Sequence, residues 1–522
     1  MAKKICNIQF DTLTDIGVEN DTVTLKGFDS SSDTLHFQEK KCRIPLNPAS
    51  SDCIVLRRQD RQPFICGKFF PLSDRYRNSY ACLGRWILSK RGEDLILTPL
   101  CRTEHIRMEG KLLMEYLRIH GKIEIRGIKV RIFYYLFYQK KRRNRKKPLL
   151  IFSDRMDKAG DNGEAMFRYV QRYHKEEAEC FFAVDPSSES GRQLSRIGRV
   201  IEPGGKEYKK LYWQGAVMVS SQAEDWIFRP YKGGTEAYKD LAYGTKFVFL
   251  QHGITKDDLS DWLNRANKNI GLLVTATRME QDSFISGNYG YTDEQVKLTG
   301  FPRYDRLYSR PQKKITILLT WRYYLVELPD EKGKRMVKNN YYESTYHQML
   351  KYLVGSPEFA AMAAGYGYTL QIMLHPCMED IRESLQKEAA PGVVFLSYDQ
   401  SYAGIFSESD LIITDYSSVA FDFAYLRKPV IYYQQDRDEF FGGMHMYRQG
   451  YYDYEEDGFG EVVTGREQLY DTVESYLQNQ CTLKDRYRER IDYTFPWNDH
   501  KNCRRVYREI MRQITGKDSH AL

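Results

Sequence analysis

Two histidines follow apolar segments that have the pattern of buried strands. His252 comes after residues 246–250 and precedes Gly253, and His375 comes after residues 370–373 and precedes Pro376. In open α/β sheets, ligands bind beyond the carboxyl ends of the strands. Because imidazole exchanges protons near neutral pH, we predict His252 to be a general base. We expect His375 to donate to a phosphate oxygen or protonate a leaving group. A strand-end histidine bonded only to backbone is the alternative for His252.

A third segment has the pattern of a phosphate site without a glycine-rich loop. The apolar residues 411–413 lead into a polar turn and then a predicted helix that begins near two serines. Hydroxyls and free backbone N–H groups converge at such a turn, and both bind anions. The predicted phosphate ligands here are Thr414, Ser417 and Ser418. The alternative is ordinary helix capping by Thr414, Asp415 or Ser417.

Further polar residues lie near these segments. Asp422 falls one turn into the predicted helix, where it could accept a hydrogen bond from a ribose or polyol hydroxyl. Arg322 ends the first strand of a second series, and we predict that it pairs bidentately with a pyrophosphate. Arg303 follows another strand near the seam between the two series. Each arginine taken singly is more often structural.

Alternating strands and helices must position these residues. From residue 148 onward, apolar strand patterns alternate with helical patterns, which predicts parallel sheets. The strands form two series with a seam near residues 310–314. We therefore predict an α/β fold with two Rossmann-like domains, residues 149–310 and 311–522, that face a cleft.

The first 105 residues have a different pattern. Short apolar segments at 5–10, 22–28, 34–37, 53–56, 86–89 and 94–97 alternate with turns rich in Asp, Ser and Asn. Residues 90–93 have the composition of a hairpin loop. We predict a small all-β domain over residues 1–105.

Residues 106–148 join an aromatic run at 131–138 to seven cations within residues 140–147, after a predicted helix at 112–119. Such a charge run does not pack in a core, so a solvated linker is one interpretation. The other is a membrane-surface segment, with the aromatic rings at the headgroups and the cations on anionic lipid. Nucleic acid is a third partner for such a run, but the motifs downstream favour other chemistry.

The composition limits the class of protein. Of the 522 residues, 42% are hydrophobic and 28% are charged, which is typical of a folded chain. The net charge is only +8. The N-terminal segment lacks the apolar run of a secretory signal, and no run of apolar residues is long enough to span a membrane. The ten cysteines form neither a Cys-x-x-Cys pair nor a zinc-ligand pattern. We expect reduced thiols, no metal and a cytoplasmic location.

Together these segments resemble the CDP-glycerol glycerophosphotransferase family, which includes teichoic acid polymerases and primases. The strongest similarity covers residues 411–440, and the whole resemblance covers about residues 149–510. Further matching motifs are Asp161-Asn162-Gly163, Gln251-His252-Gly253, Gly300 to Asp305, Thr320-Trp321-Arg322, His375-Pro376 and Arg448-Gln449-Gly450-Tyr451. This sequence departs from the family at Gln251, Thr255, Lys256 and Tyr323.

The resemblance implies a GT-B-like pair of domains, with the donor in the C-terminal one, and a mechanism that uses neither metal nor cofactor. His252 would deprotonate the acceptor hydroxyl. His375, Thr414, Ser417 and Ser418 would hold the donor pyrophosphate, with Arg322 adding positive charge. Asp422 would contact the donor polyol or ribose. The residues expected on the acceptor side or between the domains are Asp161, Asn162, Arg303 and Asp305.

The predicted activity is therefore transfer of a polyol phosphate, most simply glycerol phosphate, from a CDP-linked donor to a lipid-linked or polymeric acceptor of the cell wall or capsule. CMP is the leaving group. CDP-ribitol is an open alternative donor. The other two candidates are a GT-B glycosyltransferase using a sugar nucleotide and a non-catalytic, membrane-bound polymer-binding module. We expect a protein peripheral to the inner face of the cell membrane, with no nucleic acid partner; oligomeric state stays open.

Overall fold

A computed structural model describes residues 3–19, 22–29, 40–45, 53–328, 335–397, 400–444 and 448–515. The strand predicted at 34–37 lies outside these ranges. All ten cysteines lie within them, and each carries a free thiol.

The N-terminal unit consists of two small sheets. One has the strand order β1-β5-β9-β8-β7 and the other β4-β3-β2-β6. Their strands are β1 (Lys3–Ile8), β2 (Thr12–Glu19), β3 (Thr22–Phe28), β4 (Lys40–Pro45), β5 (Cys53–Arg58), β6 (Ile65–Cys66), β7 (Tyr80–Leu83), β8 (Trp86–Arg91) and β9 (Asp94–Pro99). In β3, alternate residues such as Val23 and Leu25 are buried, as expected for strands with one face on a core. The predicted all-β domain is confirmed.

A helical hairpin follows the β unit. Its helices are α1 (Arg102–Ile119), α2 (Lys122–Phe133) and α3 (Gln139–Arg143), and a π-helical segment, Tyr134–Tyr138, precedes α3. Met108, Leu112 and Tyr116 recur every four residues and pack into the core of the next unit. The segment is therefore not an extended linker, because one face of each long helix is buried.

Seven parallel strands form the first large sheet, in the order β12-β11-β10-β13-β14-β15-β16. They are β10 (Leu149–Ser153), β11 (Glu179–Ala183), β12 (Arg199–Ile201), β13 (Val217–Ser220), β14 (Phe247–Phe249), β15 (Leu272–Thr275) and β16 (Val296–Leu298). The helices between them are α4 (Asn162–Tyr173), α5 (Glu189–Ser195), α6 (Lys206–Trp213), α7 (Asp225–Phe228), α8 (Lys239–Ala242), α9 (Ser260–Leu263), α10 (Arg265–Lys268) and α11 (Arg278–Ser286). Helices shield both faces, so strands such as β10 are buried throughout.

Six parallel strands form the second large sheet, in the order β19-β18-β17-β20-β21-β22. They are β17 (Lys314–Leu318), β18 (Thr369–Ile372), β19 (Val394–Phe395), β20 (Leu411–Thr414), β21 (Val430–Tyr433) and β22 (Gly460–Val463). The accompanying helices are α12 (Thr345–Gly355), α13 (Pro357–Gly365), α14 (Arg382–Glu388), α15 (Tyr402–Glu408), α16 (Val419–Tyr425), α17 (Arg437–Glu439), α18 (Arg466–Gln478), α19 (Asp485–Thr494) and α20 (Asn502–Thr515). The predicted pair of Rossmann-like α/β units after a β domain is confirmed.

The last helix returns to the first large sheet. Helix α20 packs against α4 and β15 and buries Val506, Tyr507 and Ile510 there. One hydrophobic core contains residues of both large units, including Phe152 and Phe423. The two sheets are therefore joined by a shared core and by a helix that crosses between them.

Candidate active site

His252 lies beyond the carboxyl end of β14, on a loop that the first unit holds tightly. The Asn162 amide donates to the backbone oxygens of Leu250 and Gln251, at 3.2 and 2.6 Å. Gln251 has φ of +59°, a left-handed turn that an L-residue adopts only when its surroundings impose it. The His252 side chain is accessible to solvent. The protein atoms around it still desolvate the ring in part, which lowers the pKa of His252 from the ordinary value. A neutral imidazole is the form that accepts a proton.

The buried carboxylate of Glu280 also holds the loop that carries His252. One oxygen of Glu280 accepts from Gln251 Nε2 at 3.0 Å and from the Thr255 backbone N–H at 2.7 Å. The Thr255 hydroxyl in turn donates to Gln251 Oε1. Burial raises the pKa of Glu280 to about 7. Two of the residues at which the sequence departs from the family, Gln251 and Thr255, are thus partners of one buried acid that sequence reasoning missed.

The histidine loop contacts the serine turn of the second unit. A β-carbon built on Gly253 would lie 2.8 Å from the Ser418 hydroxyl oxygen. Ser417 and Ser418 are partly exposed at this point, immediately before α16. Residues more than 160 positions apart in the chain therefore share one crevice, with a hydroxyl beside the histidine loop.

An ion-pair network crosses the cleft next to His252. The Arg303 guanidinium pairs with Asp161 at 2.9 Å and with Asp422 of the second unit at 2.6 Å. The same side chain donates to the His252 backbone oxygen at 3.0 Å. Burial raises the pKa of Asp422, and the positive charge of Arg303 opposes that shift. Asp422 is therefore engaged by Arg303 and links the two units.

His375 lies beyond the end of β18. Its Nδ1 accepts from the Cys377 backbone N–H at 3.2 Å, and its ring stacks on Trp321. Since Nδ1 is the acceptor, the neutral ring carries its proton on Nε2. Desolvation and, to a smaller extent, the positive charge of Arg155 lower the pKa of His375 to about 4. The His375 ring is thus a neutral hydrogen-bond donor at pH 7.

Arg155 links the two histidines electrostatically. Its charge lowers the pKa of His375 in the second unit and also that of His252 in the first. Arg155 is exposed and belongs to the loop after β10, where the backbone N–H groups of Asp161, Gly163 and Glu164 donate to the buried Asp154 carboxylate. Sequence reasoning missed both residues. The available signal was the position of Ser153-Asp154-Arg155 at the end of a buried strand.

Arg322 is placed differently from the prediction. Its side chain is fully buried and forms ion pairs with Asp415 at 2.8 Å and Asp436 at 2.7 Å. The rings of Tyr346 and Phe440 lie against its guanidinium. A guanidinium enclosed in this way does not reach a pyrophosphate in the cleft. The predicted direct contact is corrected to a supporting role, in which Arg322 fixes the turn that begins at Asp415.

The predicted phosphate ligand Thr414 and the predicted acceptor-side or interdomain residue Asp305 also point away from the cleft. The Thr414 hydroxyl is fully buried and donates to the Leu318 backbone oxygen at 2.6 Å, so it holds β20 to β17 instead of facing the cleft. Asp305 accepts from the backbone N–H groups of Asn502 and Cys503, at 2.7 and 2.8 Å. It therefore caps the start of α20, and its carboxylate is used by that helix.

Residues 133–512 match the family model described as CDP-Glycerol:Poly(glycerophosphate) glycerophosphotransferase. The chain belongs to this family. The match begins within the helical hairpin, so the N-terminal β unit lies before it.

Several members of the glycerophosphotransferase family are similar in sequence. The minor teichoic acid biosynthesis protein GgaB of Bacillus subtilis (strain 168) is 36% identical over 375 residues, which cover 71% of this chain and 40% of GgaB. A teichoic acid poly(glycerol phosphate) polymerase of Staphylococcus epidermidis is 22% identical, over 64% of this chain and 45% of that protein. The chain thus spans less than half the length of these two relatives.

A solved structure supports the fold. The wall teichoic acid polymerase TagF aligns with a TM-score of 0.53 and 17% identity, over 80% of this chain and 99% of that one. At 17% identity, this similarity shows a shared fold and nothing further. Family membership rests on the sequence match.

Proposed function

We propose that this chain transfers glycerol phosphate from CDP-glycerol to a hydroxyl of a polymeric or lipid-linked acceptor and releases CMP. The observation that carries the proposal is the contact between the His252 loop and the Ser418 turn. The positive charge of Arg155 acts on both His252 and His375. Family membership and a matched TagF variant soaked with CDPG support the choice of donor.

On the donor side, three side chains offer hydrogen bonds to a pyrophosphate. They are the Ser417 and Ser418 hydroxyls and His375 Nε2–H. Arg155 adds a positive charge that stabilises the negative charge growing on CMP as the P–O bond breaks. Helix α16 has only seven residues, so its dipole adds little and the side chains dominate. Arg322 and Thr414 act indirectly, because they fix the turn that carries the serines.

On the acceptor side, His252 serves as the base. Its lowered pKa keeps the ring neutral at pH 7, so it takes the proton of the acceptor hydroxyl as that oxygen attacks the β-phosphorus of the donor. Arg303 and Asn162 hold the backbone on either side of the histidine. Such general-base catalysis is typically worth about 10²–10⁴-fold in rate.

The deciding experiment is a product assay. The purified chain is incubated with a lipid-linked acceptor and, in separate reactions, CDP-glycerol, CDP-ribitol or a UDP-sugar. We expect acceptor-dependent release of CMP from CDP-glycerol, lost in His252→Ala and retained in Lys387→Ala, which changes an exposed residue of α14. If CMP is released only from CDP-ribitol, the donor is CDP-ribitol and not CDP-glycerol. Release of UDP alone, or no release from any donor, contradicts the proposal.

We further propose that the hairpin binds an anionic membrane surface. No helix within the described ranges is long and apolar enough to cross a bilayer. The hairpin instead exposes Phe133, Leu136 and Phe137, while Tyr134 and Tyr135 pack inward. Exposed cations follow directly at Lys140, Lys141, Arg143, Lys146 and Lys147. Apolar side chains beside cations favour a negatively charged interface, at about 1 kcal/mol per cation near the surface.

Co-sedimentation with phosphatidylglycerol vesicles tests this surface. The variant Lys140→Gln/Lys141→Gln/Arg143→Gln should bind about a hundredfold more weakly at low salt, as expected for the loss of three such cations. The matched control is Lys387→Gln/Arg488→Gln/Arg504→Gln, which removes three exposed cations outside the hairpin. Equal sedimentation of the two variants would rule out the hairpin as the membrane surface.

A further inference from the structure

A small cavity of about 50 Å³ lies at the opposite end of β14 from His252. Phe247, the first residue of the strand, lines the cavity, whereas the histidine loop follows its last residue. Lys68 and Phe69 of the N-terminal unit form one wall, and residues 229–245 form much of the rest. The cavity is therefore built where the β unit meets the first large sheet, and it is separate from the cleft.

The lining is strongly cationic. Lys68, Arg229, Lys239 and Lys268 all line the cavity, and no carboxylate is among the described residues that do. Their carboxylate partners are Asp225, which three of the cations share at 3.0–3.9 Å, and Glu236, at 3.6 Å from Lys239. Four cations thus face two carboxylates.

Two of the cations that line the cavity are also more deeply buried than the carboxylates that pair with them. Lys239 and Lys268 are only 6% and 5% exposed, whereas Asp225 and Glu236 are 48% and 40% exposed. Burying an ammonium group costs several kcal/mol unless it is well paired. For Lys239, a 3.6 Å contact to a carboxylate that is itself 40% exposed compensates that cost poorly, which leaves the cavity attractive to an anion.

Buried donors without acceptors also line the cavity. The Tyr238 hydroxyl belongs to a fully buried side chain and forms no hydrogen bond within 3.5 Å. The Arg229 side chain is 16% exposed, but its Nε atom is buried and also forms none. Buried polar groups in native proteins are almost always hydrogen-bonded. These two donors and the nearby ammonium groups therefore provide a set that a ligand with several oxygen acceptors would satisfy.

We propose that this cavity binds the phosphate group of a polyol phosphate, as a second site distinct from the donor site. A phosphate supplies the negative charge and the multiple acceptors that the lining lacks. The apolar walls, Phe69, Ala242 and Phe247, suit the carbon atoms between phosphates. The polyol part of the assignment rests on the proposed function. The phosphate part rests on the cavity itself.

Equilibrium binding to the full chain tests the site, with inorganic phosphate, glycerol 3-phosphate and a short poly(glycerol phosphate) oligomer as separate probes. Tyr238→Phe removes only an unpartnered hydroxyl, so it should fold normally and weaken binding about tenfold, the usual value of a hydrogen bond to a charged group. Lys239→Met should weaken binding at least as much. The matched control is Lys232→Met, an exposed neighbour, which should bind the probes like the parent.

The probes separate the sources of the phosphate. Tightest binding of the oligomer identifies a polymer chain as the ligand, and equal binding of all three probes identifies a lone phosphate. The proposal is overturned if no probe binds saturably, or if Tyr238→Phe and Lys239→Met bind all three like Lys232→Met. CMP release from CDP-glycerol is measured in parallel. Normal release without cavity binding rejects only this second site, and cavity binding without release rejects only the transfer activity.

Discussion

Gly253 and Ser418 face each other across the cleft, and a β-carbon on the glycine would lie 2.8 Å from the serine hydroxyl oxygen. The glycine is needed at this position for close approach between the two units, since its φ is not in the left-handed region. The loop of the proposed base and the turn of a proposed donor ligand are thus brought together by a contact that leaves no room for a side chain.

A double-mutant cycle tests this contact. Gly253→Ala should lower kcat/KM about tenfold by displacing the serine, and Ser418→Ala should do the same by removing a hydrogen bond to the pyrophosphate. Once the hydroxyl is absent, the next atom is Ser418 Cβ at 3.7 Å, an ordinary contact. The double variant should therefore resemble Ser418→Ala alone. Multiplicative losses would show that the two positions do not interact.

The Arg303–Asp422 pair should stabilise the association of the two large units. Arg303→Met leaves the buried Asp422 without its partner, so we expect the free energy of unfolding to fall by ~3 kcal/mol, measured by urea denaturation. The rate should fall as well, because the His252 backbone loses a donor. The control is Arg427→Met, whose pair with Asp492 is about half exposed and worth about 0.5 kcal/mol. Equal losses of stability would contradict a special role for Arg303.

Substitutions at Arg322 and at Ser418 should have different effects, the first on the stability of the chain and the second on its affinity for the donor. Arg322→Met leaves Asp415 and Asp436 buried beside each other without a cation, and we expect a loss of ~4 kcal/mol in unfolding free energy. Ser418→Ala should leave stability within about 0.5 kcal/mol, because the side chain is partly exposed, but raise the Kd for the donor. A stable Arg322→Met protein with weakened donor affinity would restore the direct pyrophosphate contact predicted from sequence.

The rate of transfer should fall on the acid side of neutrality. Desolvation lowers the pKa of His252 from its ordinary 6.5, so the base stays neutral until the pH falls below that value. We therefore expect the acid limb of kcat below pH 6.5, and a flat profile from there to pH 7.5. A limb centred above pH 7 would exclude His252 as the titrating base.

The free energy of unfolding should also depend on pH through the protonation of His375. Its pKa is about 4 in the folded chain against an ordinary value of 6.5, so the unfolded state binds more protons between these values. The contribution of the neutral His375 ring to the free energy of unfolding is complete above pH 6.5 and is lost as the pH falls toward 4. Going from pH 7.5 to pH 5, the parent should lose ~2 kcal/mol more unfolding free energy than His375→Gln. Parallel pH dependence of the two proteins would show that His375 is not desolvated.

Much of the fold could be predicted because its signals are local. Apolar runs such as 411–413 and 370–373 identify buried parallel strands, and the residues directly after them fall at the edge where ligands bind. The hairpin was harder to predict. Its cationic end suggested a solvated linker, but buried residues recur every four positions in α1 and every three positions in α2. One face of each helix therefore packs in the core that it shares with the first large sheet.

Local patterns were enough to predict the alternation of strands and helices, the family, and the positions of His252, His375, Ser417 and Ser418 next to strand ends, because periodicity and turn chemistry act over a few residues. Which polar groups face the cleft depends on partners that are distant in the chain. Arg322 meets Asp436 from 114 positions away, and Asp305 caps a helix that begins almost 200 residues later. No local pattern shows such partners, and they give Arg322 and Thr414, the expected phosphate ligands, a supporting role and occupy the Asp305 carboxylate.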